Sequence, residues 1–142
     1  VGPIHGKLVA SPAYIEAHGS PETLDELVTH QALMQGTEAW QFMEDSKIVT
    51  VQPQGRFKAD SATALAAAAA AGLGIAWLPD CITYEYVASG ALVPIMTRYP
   101  VPPGAAYVVR PPGQHPMRKV RVLTDMLIEY FARNPDVWGL DR

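Results

Sequence analysis

Cysteine is almost absent. Cys81 is the single one among 142 residues, which excludes an internal disulfide framework and fits a reducing compartment. A basic excess is missing too. Eleven Lys and Arg stand against 14 Asp and Glu, a net charge of −3, whereas a general nucleic-acid binder carries surplus positive charge. The imbalance along the chain is mild: residues 1–60 hold 4 basic and 8 acidic groups, and residues 110–142 hold 6 and 4. No run of like charge forms an electrostatic footprint, so DNA binding by this chain alone is not expected. Long hydrophobic runs are also lacking. The most apolar stretch, Ala62 to Pro79, is mostly alanine, is broken by Gly72 and Gly74, and is too weakly hydrophobic to span a bilayer. The opening Val1-Gly2-Pro3-Ile4-His5 has no basic segment followed by an apolar one, so no secretory signal is expected. Without an initiator Met, and opening within a few residues of a strand-like run, the chain reads as an excised fragment or a processed product. Charged residues make up only 18% and apolar ones 49%, which excludes a disordered polyelectrolyte. The length suits one domain, or two small lobes sharing a core.

Strand-like and helix-like segments alternate nearly throughout. Lys7 to Ala10 reads as a strand, and Ser11-Pro12 as a helix start with Ser11 as cap, the helix ending at Gly19. Thr23 and Glu26 have capping-box spacing, opening a short helix that ends near His30. Ala32-Leu33-Met34 is a buried strand, Gln35 to Glu38 a polar loop, and Trp40-Gln41-Phe42 an alternating run. Lys47 to Gln52 and Gly55 to Lys58 read as two strands joined in a hairpin around Pro53. Asp60 or Ser61 caps an alanine helix over 62–71, terminated by Gly72. Alanine on every side of it predicts close packing all round, against a sheet. Gly74 to Leu78 is a buried strand, and Pro79 opens a helix closed by Gly90. Leu92 to Ile95 is a strand whose Pro94 marks an edge or bulge, and Ala105 to Arg110 is another. The last helix runs from about Pro116 to Asn134, with Val120, Leu123, Leu127 and Phe131 on one face, widened by Val122 and Met126. This order implies an α/β domain with a largely parallel sheet.

Catalytic chemistry finds little support. His5, His18, His30 and His115 have no ligand spacing with one another or with Cys81, so no metal is expected. Histidines 18 and 30 fall near helix C-termini, where a cation is favoured. Cys81 reads as a small buried residue. No serine has a nucleophile-elbow setting, and Gly72-Leu73-Gly74 lies between a helix and a strand, the reverse of a dinucleotide fingerprint. No cofactor is expected. Binding finds more. The strand-to-helix junctions Ala10-Ser11-Pro12 and Ala59-Asp60-Ser61 present hydroxyls and free N–H groups, which attract carboxylates and other anions. Open α/β sheets bind ligands at the carboxyl ends of their strands. Asp60 disfavours a bare anion directly beside it and suits the orienting of a donor. Trp40, Trp77 and Phe57 are the aromatic candidates for a pocket wall; Trp138 lies in the tail.

An ordered set of segments resembles one family. Leu8-Val9-Ala10-Ser11-Pro12-Ala13-Tyr14 comes first, then Leu24 to Leu27 with His30, and the Trp40/Phe42 pair. Asp60-Ser61-x-x-Ala64-Leu65, running on through Ala71-Gly72-Leu73-Gly74-Ile75-Ala76-Trp77-Leu78-Pro79, is the most distinctive part. Gly90-x-Leu92-Val93 and the Lys119-Val120-Arg121 helix complete it. Over residues 4–132 the chain is similar to the effector-binding domain of LysR-type transcriptional regulators.

The resemblance implies an α/β, type 2 periplasmic-binding-protein-like fold. The chain would supply the second lobe, plus the returning strand and C-terminal helix of the first. Residues 1–110 would be that second lobe with its crossover strands. Residues 111–142 would be the C-terminal helix and tail, packing on a first lobe mostly absent from this chain. It implies an effector, a carboxylate, held between lobes. Effector contacts would come from Gln35, Gly36 and Thr37 and from Ala59, Asp60 and Ser61, joined by Ser11 and Trp40 from the residue-level reading. Ala59 replaces a residue that is commonly polar in the family. DNA would be bound only through an N-terminal helix-turn-helix absent here, in a cytoplasmic homo-oligomer and away from membranes. A solute-binding protein of a transport system is the alternative, with the same lobe chemistry. An enzyme of this architecture would need a convergent catalytic set, which the sequence does not display. A fragment with no function of its own would expose apolar sheet edges.

Overall fold

The computed structural model describes residues 1–36, 39–113, 115 and 117–135. A two-stranded ribbon pairs β1 (Gly2–Ile4) antiparallel with β9 (Gly104–Ala106). The main sheet comprises β2 (Gly6–Ala10), β3 (Ala32–Met34), β6 (Phe57–Lys58), β7 (Ile75–Pro79) and β8 (Val93–Ile95). Its order is β6-β3-β7-β2-β8. Strands β6, β3 and β7 run parallel, and β2 is antiparallel to both β7 and β8. The sheet is therefore mixed, with β2 alone reversed, rather than simply parallel. Pro94 lies on the edge strand, where its missing N–H removes no interior ladder bond.

Helices form where their caps are local. Ser11 Oγ accepts the Tyr14 N–H at 3.1 Å and starts α1 (Pro12–His18). Thr23 caps α2 (Leu24–Leu27), and the Glu26 carboxylate accepts the Glu22 N–H at 2.9 Å. Ser61 caps α3 (Ala62–Ala70), and Gly90 at φ 81° closes α4 (Asp80–Ser89). The last helix, α5 (Arg118–Arg133), begins without a side-chain cap.

Strand alternation splits the core in two. Leu8, Ala10, Met34 and Ile75 pack with Tyr14 of α1 and with Trp40 and Phe42 on one face. Val9, Leu33, Ala76 and Leu78 pack against α3 on the other, where Ala66 and Ala69 let the helix sit close. Ala64 and Ala67 are exposed, so α3 packs tightly on one side only. Two further expectations need correction. The hairpin joins β4 (Trp40–Glu44) to β5 (Lys47–Val51), not two strands around Pro53. Asp45 and Ser46, at φ 48° and 66°, form the tight turn it requires. Phe57–Lys58 instead joins β3 in parallel. The strand expected over 105–110 stops at Ala106, leaving Tyr107 and Val109 exposed. The apolar face of α5 is buried only at Phe131, while Leu123 and Met126 are 58% and 60% exposed. Pro116 and Trp138 lie outside the described residues.

Candidate functional site

Parallel pairing of β3 with β6 brings two loops together. Met34 lies opposite Lys58, and the Ala59 N–H donates to the Met34 carbonyl at 3.0 Å. Gln35–Gly36 and Ala59–Ser61 therefore leave the same end of the sheet side by side. Asp60 and Ser61 are exposed, and Ala59 and Gly36 are half-buried. Ser61 Oγ accepts the Ala64 N–H at 3.3 Å, so the hydroxyl is partly engaged in capping α3. Thr37 lies outside the described residues. A recess of about 210 Å³ opens beside this junction, lined by Met34, Gly36, Lys58 and the chain over 52–55. At Gly55 a Cβ would lie 1.8 Å from the Ala32 carbonyl oxygen, so only glycine lets that chain run so close to β3.

Ser11 does not join them. Because β2 runs against β7, its carboxyl end lies at the amino ends of β3 and β7. Ser11 is buried there, holds the Tyr14 N–H, and faces Gly72. The two strand-to-helix junctions thus sit at opposite ends of the sheet.

Trp40 is 4% exposed and Trp77 half-buried, and both line a second recess of about 240 Å³ with Ala39, Gln41, Val101 and Pro102. Phe57 is 38% exposed on the edge strand β6 and lines neither this recess nor the one beside Lys58. A third recess, about 250 Å³, adjoins the second through Val101. His5, Lys7, Pro94, Met96 and Tyr99 are among the residues that line it.

Sequence reasoning missed the ion pair at this junction. Asp80 opens α4 and is 3% exposed; its N–H donates to the His5 carbonyl at 2.8 Å. Lys7 Nζ approaches its Oδ1 at 3.3 Å. Burial lifts the Asp80 carboxyl to about 6, against the pull of the nearby His5 charge. An acid just after Pro79 reads in sequence as an ordinary first-turn residue, and no local spacing links it to Lys7. Burial also raises the Cys81 thiol, which suits a packing role better than a reactive one. His18 closes the last turn of α1, and both it and His30 pack on Tyr14. The Tyr14 hydroxyl lies 2.7 Å from His30 Nδ1, and the His18 ring centroid is 4.7 Å from that of Tyr14. Burial holds His30 below its usual range, helped by the charge of His18 and opposed by Glu26.

A family model described as the LysR substrate binding domain matches residues 4–132. A putative transcriptional regulator of Pseudomonas aeruginosa is 32% identical over 144 residues, 96% of this chain and 47% of that protein. The HTH-type transcriptional regulator PtxR of the same species is 28% identical, with 89% and 42% covered. The solved regulatory domain of AphB from Vibrio vulnificus has a TM-score of 0.71 and 32% identity, with 92% of this chain and 66% of that one covered. The chain spans about half the length of the curated relatives it matches.

Proposed function

The chain belongs to the LysR substrate-binding domain family, and from that membership we propose that it senses a small carboxylate and signals to a helix-turn-helix elsewhere in a longer regulator. Its fold is the α/β, type 2 periplasmic-binding-protein-like one of LysR regulatory domains. The observation that carries the reading is the convergence of Gln35–Gly36 with Ala59–Ser61 at the carboxyl ends of β3 and β6. Such ends are where open α/β sheets hold ligands. The Lys58 ammonium and the first N–H groups of α3 supply the positive potential that a carboxylate needs. Asp60 orients a donor on the ligand or on the neighbouring loop. Trp40 and Thr37 are the further effector contacts in this proposal. Ser11 acts as a helix cap and is left out of the site.

In this reading residues 1–110 form the second lobe, and residues 111–142 pack α5 on a first lobe supplied by the rest of the protein. The exposed Leu123 and Met126 support that division. The effector binds one lobe arrangement better than another, and the difference biases the spacing of DNA-binding domains in a cytoplasmic homo-oligomer. The edge strand β8 and α5 are the surfaces available for self-association. Among the described residues, no helix is long and apolar enough to cross a membrane. The named relatives are transcriptional regulators, so the transport-protein alternative is not favoured. Sequencing the reading frame upstream of Val1 tests the proposal. A helix-turn-helix is expected there; a secretory signal would move the reading to a transport protein.

A further inference from the structure

We propose that Tyr14, His18 and His30 form a proton-operated latch: while His30 is neutral the Tyr14 hydroxyl ties α1 to the entry of β3, and proton uptake by His30 releases it. Acidity is then a second input to the molecule, beside any effector. The latch itself stands apart from the effector-sensing reading, and only its last step, toward the loop after β3, rests on that reading.

Tyr14 is 3% exposed, and its ring belongs to the core on one face of the sheet. Its hydroxyl reaches the turn between α2 and β3. There the Gln31 N–H donates to the Tyr14 oxygen at 3.4 Å, and His30 Nδ1 lies 2.7 Å away. Among the described residues the hydroxyl has no further partner. The Gln31 bond therefore fixes the direction of the other one. An oxygen that already accepts satisfies its own proton by giving it to Nδ1, which accepts when a neutral His30 carries its hydrogen on Nε2. Burial pushes the Tyr14 phenol up, against the pull of the Gln31 N–H, so it remains a donor through neutral and acid pH. A proton on Nδ1 reverses the arrangement. An imidazolium donates from both nitrogens. Two donors then face the Tyr14 oxygen, and the phenol proton is left without an acceptor. A buried orphan donor is costly, so the pair separates.

Two charged neighbours set when this happens. Burial holds His30 low, the charge of His18 on α1 pushes it the same way, and Glu26 on α2 opposes them. Gln31, at the entry of β3, is uncharged. The Glu26 carboxylate is also occupied with the Glu22 N–H at 2.9 Å. The His18 ring stands on the Tyr14 ring, centroids 4.7 Å apart, so both histidines bear on the same phenol. In the folded chain His30 gives up its proton at a pH where the unfolded chain still holds one. Its contribution to stability is complete above about 6.5 and is lost as pH falls through the lower folded value. The raised Asp80 carboxyl works in the opposite sense. What the latch holds is Gln31. Its carbonyl accepts the Ile75 N–H at 2.9 Å, and a Cβ on Gly74 would lie 2.6 Å from that oxygen. Gln31 is thus held between α1 and the start of β7. Release of Tyr14 removes one of these two holds, and β3 runs for only 3 residues before Gln35.

The test is NMR on the isotope-labelled 142-residue chain, titrated from pH 8 to 5. At pH 7.5 the His30 ring should show one tautomer, with hydrogen on Nε2 and none on Nδ1. It should titrate below about 6.5, the ordinary histidine value. Amide protection at Gly19 and Gln31, corrected for the intrinsic effect of pH on exchange, should fall about tenfold between pH 7.5 and 5.5, the equivalent of one unit of pKa displacement. The Gln35 and Gly36 amide resonances should move with the same midpoint. His30→Asn places a carbonyl oxygen where Nδ1 stood and does not titrate, so it should keep its protection at pH 5.5. Tyr14→Phe should lose protection at Gln31 at every pH. His18→Gln should raise the His30 midpoint. A His30 midpoint at or above the ordinary value overturns the latch. So does an equal loss of protection on acidification in His30→Asn and the unchanged chain, and both readings hold even where Tyr14→Phe fails to fold. Changes that stop at Gln31 and leave Gln35 and Gly36 still overturn the link to the loop while the latch stands. The effector-sensing reading survives either failure, because its own test is the sequence upstream of Val1.

Discussion

The main sheet and the ribbon with α5 both carry apolar side chains in a regular pattern, yet they finish in opposite states. In the sheet, Val9, Ile75 and Ala76 are fully buried between α3 on one side and α1 with the β4–β5 hairpin on the other. In α5, Leu123, Met126 and Tyr130 are more than half exposed, and only Phe131 is buried. The first region has both faces covered. The second has one face that none of the described residues covers. An apolar stripe at helical spacing therefore identifies a surface meant to be buried, but not which molecule buries it.

The largest effect should fall on the covered region. Phe42→Ala should cost about 3–5 kcal/mol, as large-to-small changes at enclosed aromatic positions do. Leu123→Ala should stay within about 0.5 kcal/mol, as exposed substitutions do. Urea denaturation of both variants measures the contrast, and a comparable loss at Leu123 would erase it.

The junction between the regions comes next. Lys7→Met should cost about 3 kcal/mol at pH 7.5, because it strips the cation from a buried carboxylate. With the Asp80 carboxyl raised to about 6, the folded chain holds a proton between pH 4 and 6 that the unfolded chain has released. Asp80's own contribution therefore grows as pH falls through 6 and is lost as pH rises through it. The Lys7→Met penalty should shrink at pH 5, and Asp80→Asn should flatten this slope. Thermal melts from pH 4 to 8 read both, and a Lys7→Met penalty that grows on acidification would contradict the assignment.

Gly2→Ala should follow, at about 1 kcal/mol, the low end for a methyl forced into a packed contact, here with the Phe131 ring. Its clearer sign should be faster protease cleavage in the stretch between β9 and α5, as the Phe131 contact opens. Unchanged cleavage would mean that α5 is held by something other than the ribbon. The smallest stability effect should come from the proposed site. Asp60→Ala and Thr37→Ala should leave melting temperatures nearly unchanged while weakening induction in the complete regulator, with DNA affinity preserved. Normal induction in both variants would remove the site assignment.

How much was legible differs by feature. The caps at Ser11, Thr23, Ser61 and Gly90 could be read because each is settled within about four residues of chain. The loops Gln35–Gly36 and Ala59–Ser61 could be found as polar junctions for the same reason. That Ser11 stands at the wrong end of the sheet could not, because nothing local reports that β2 runs against β7. The hairpin was misplaced because Pro53 is a stronger turn signal than Asp45-Ser46, although the left-handed backbone at the latter pair sets the turn. Lys7 and Asp80 are brought together only by register, with Lys7 opposite Leu78.

The sequence by itself determined the order of helices and strands, the α/β class, and the family to which residues 4–132 conform. The order and the class rest on periodicity and capping, which act over short stretches of chain; the family rests on the ordered set of motifs along it. Only the tertiary structure decided which way β2 runs and which loops share an end. Those depend on the pairing of strands some 70 residues apart, and the hydrogen bonds and packing that select a partner exist only once the chain has closed on itself.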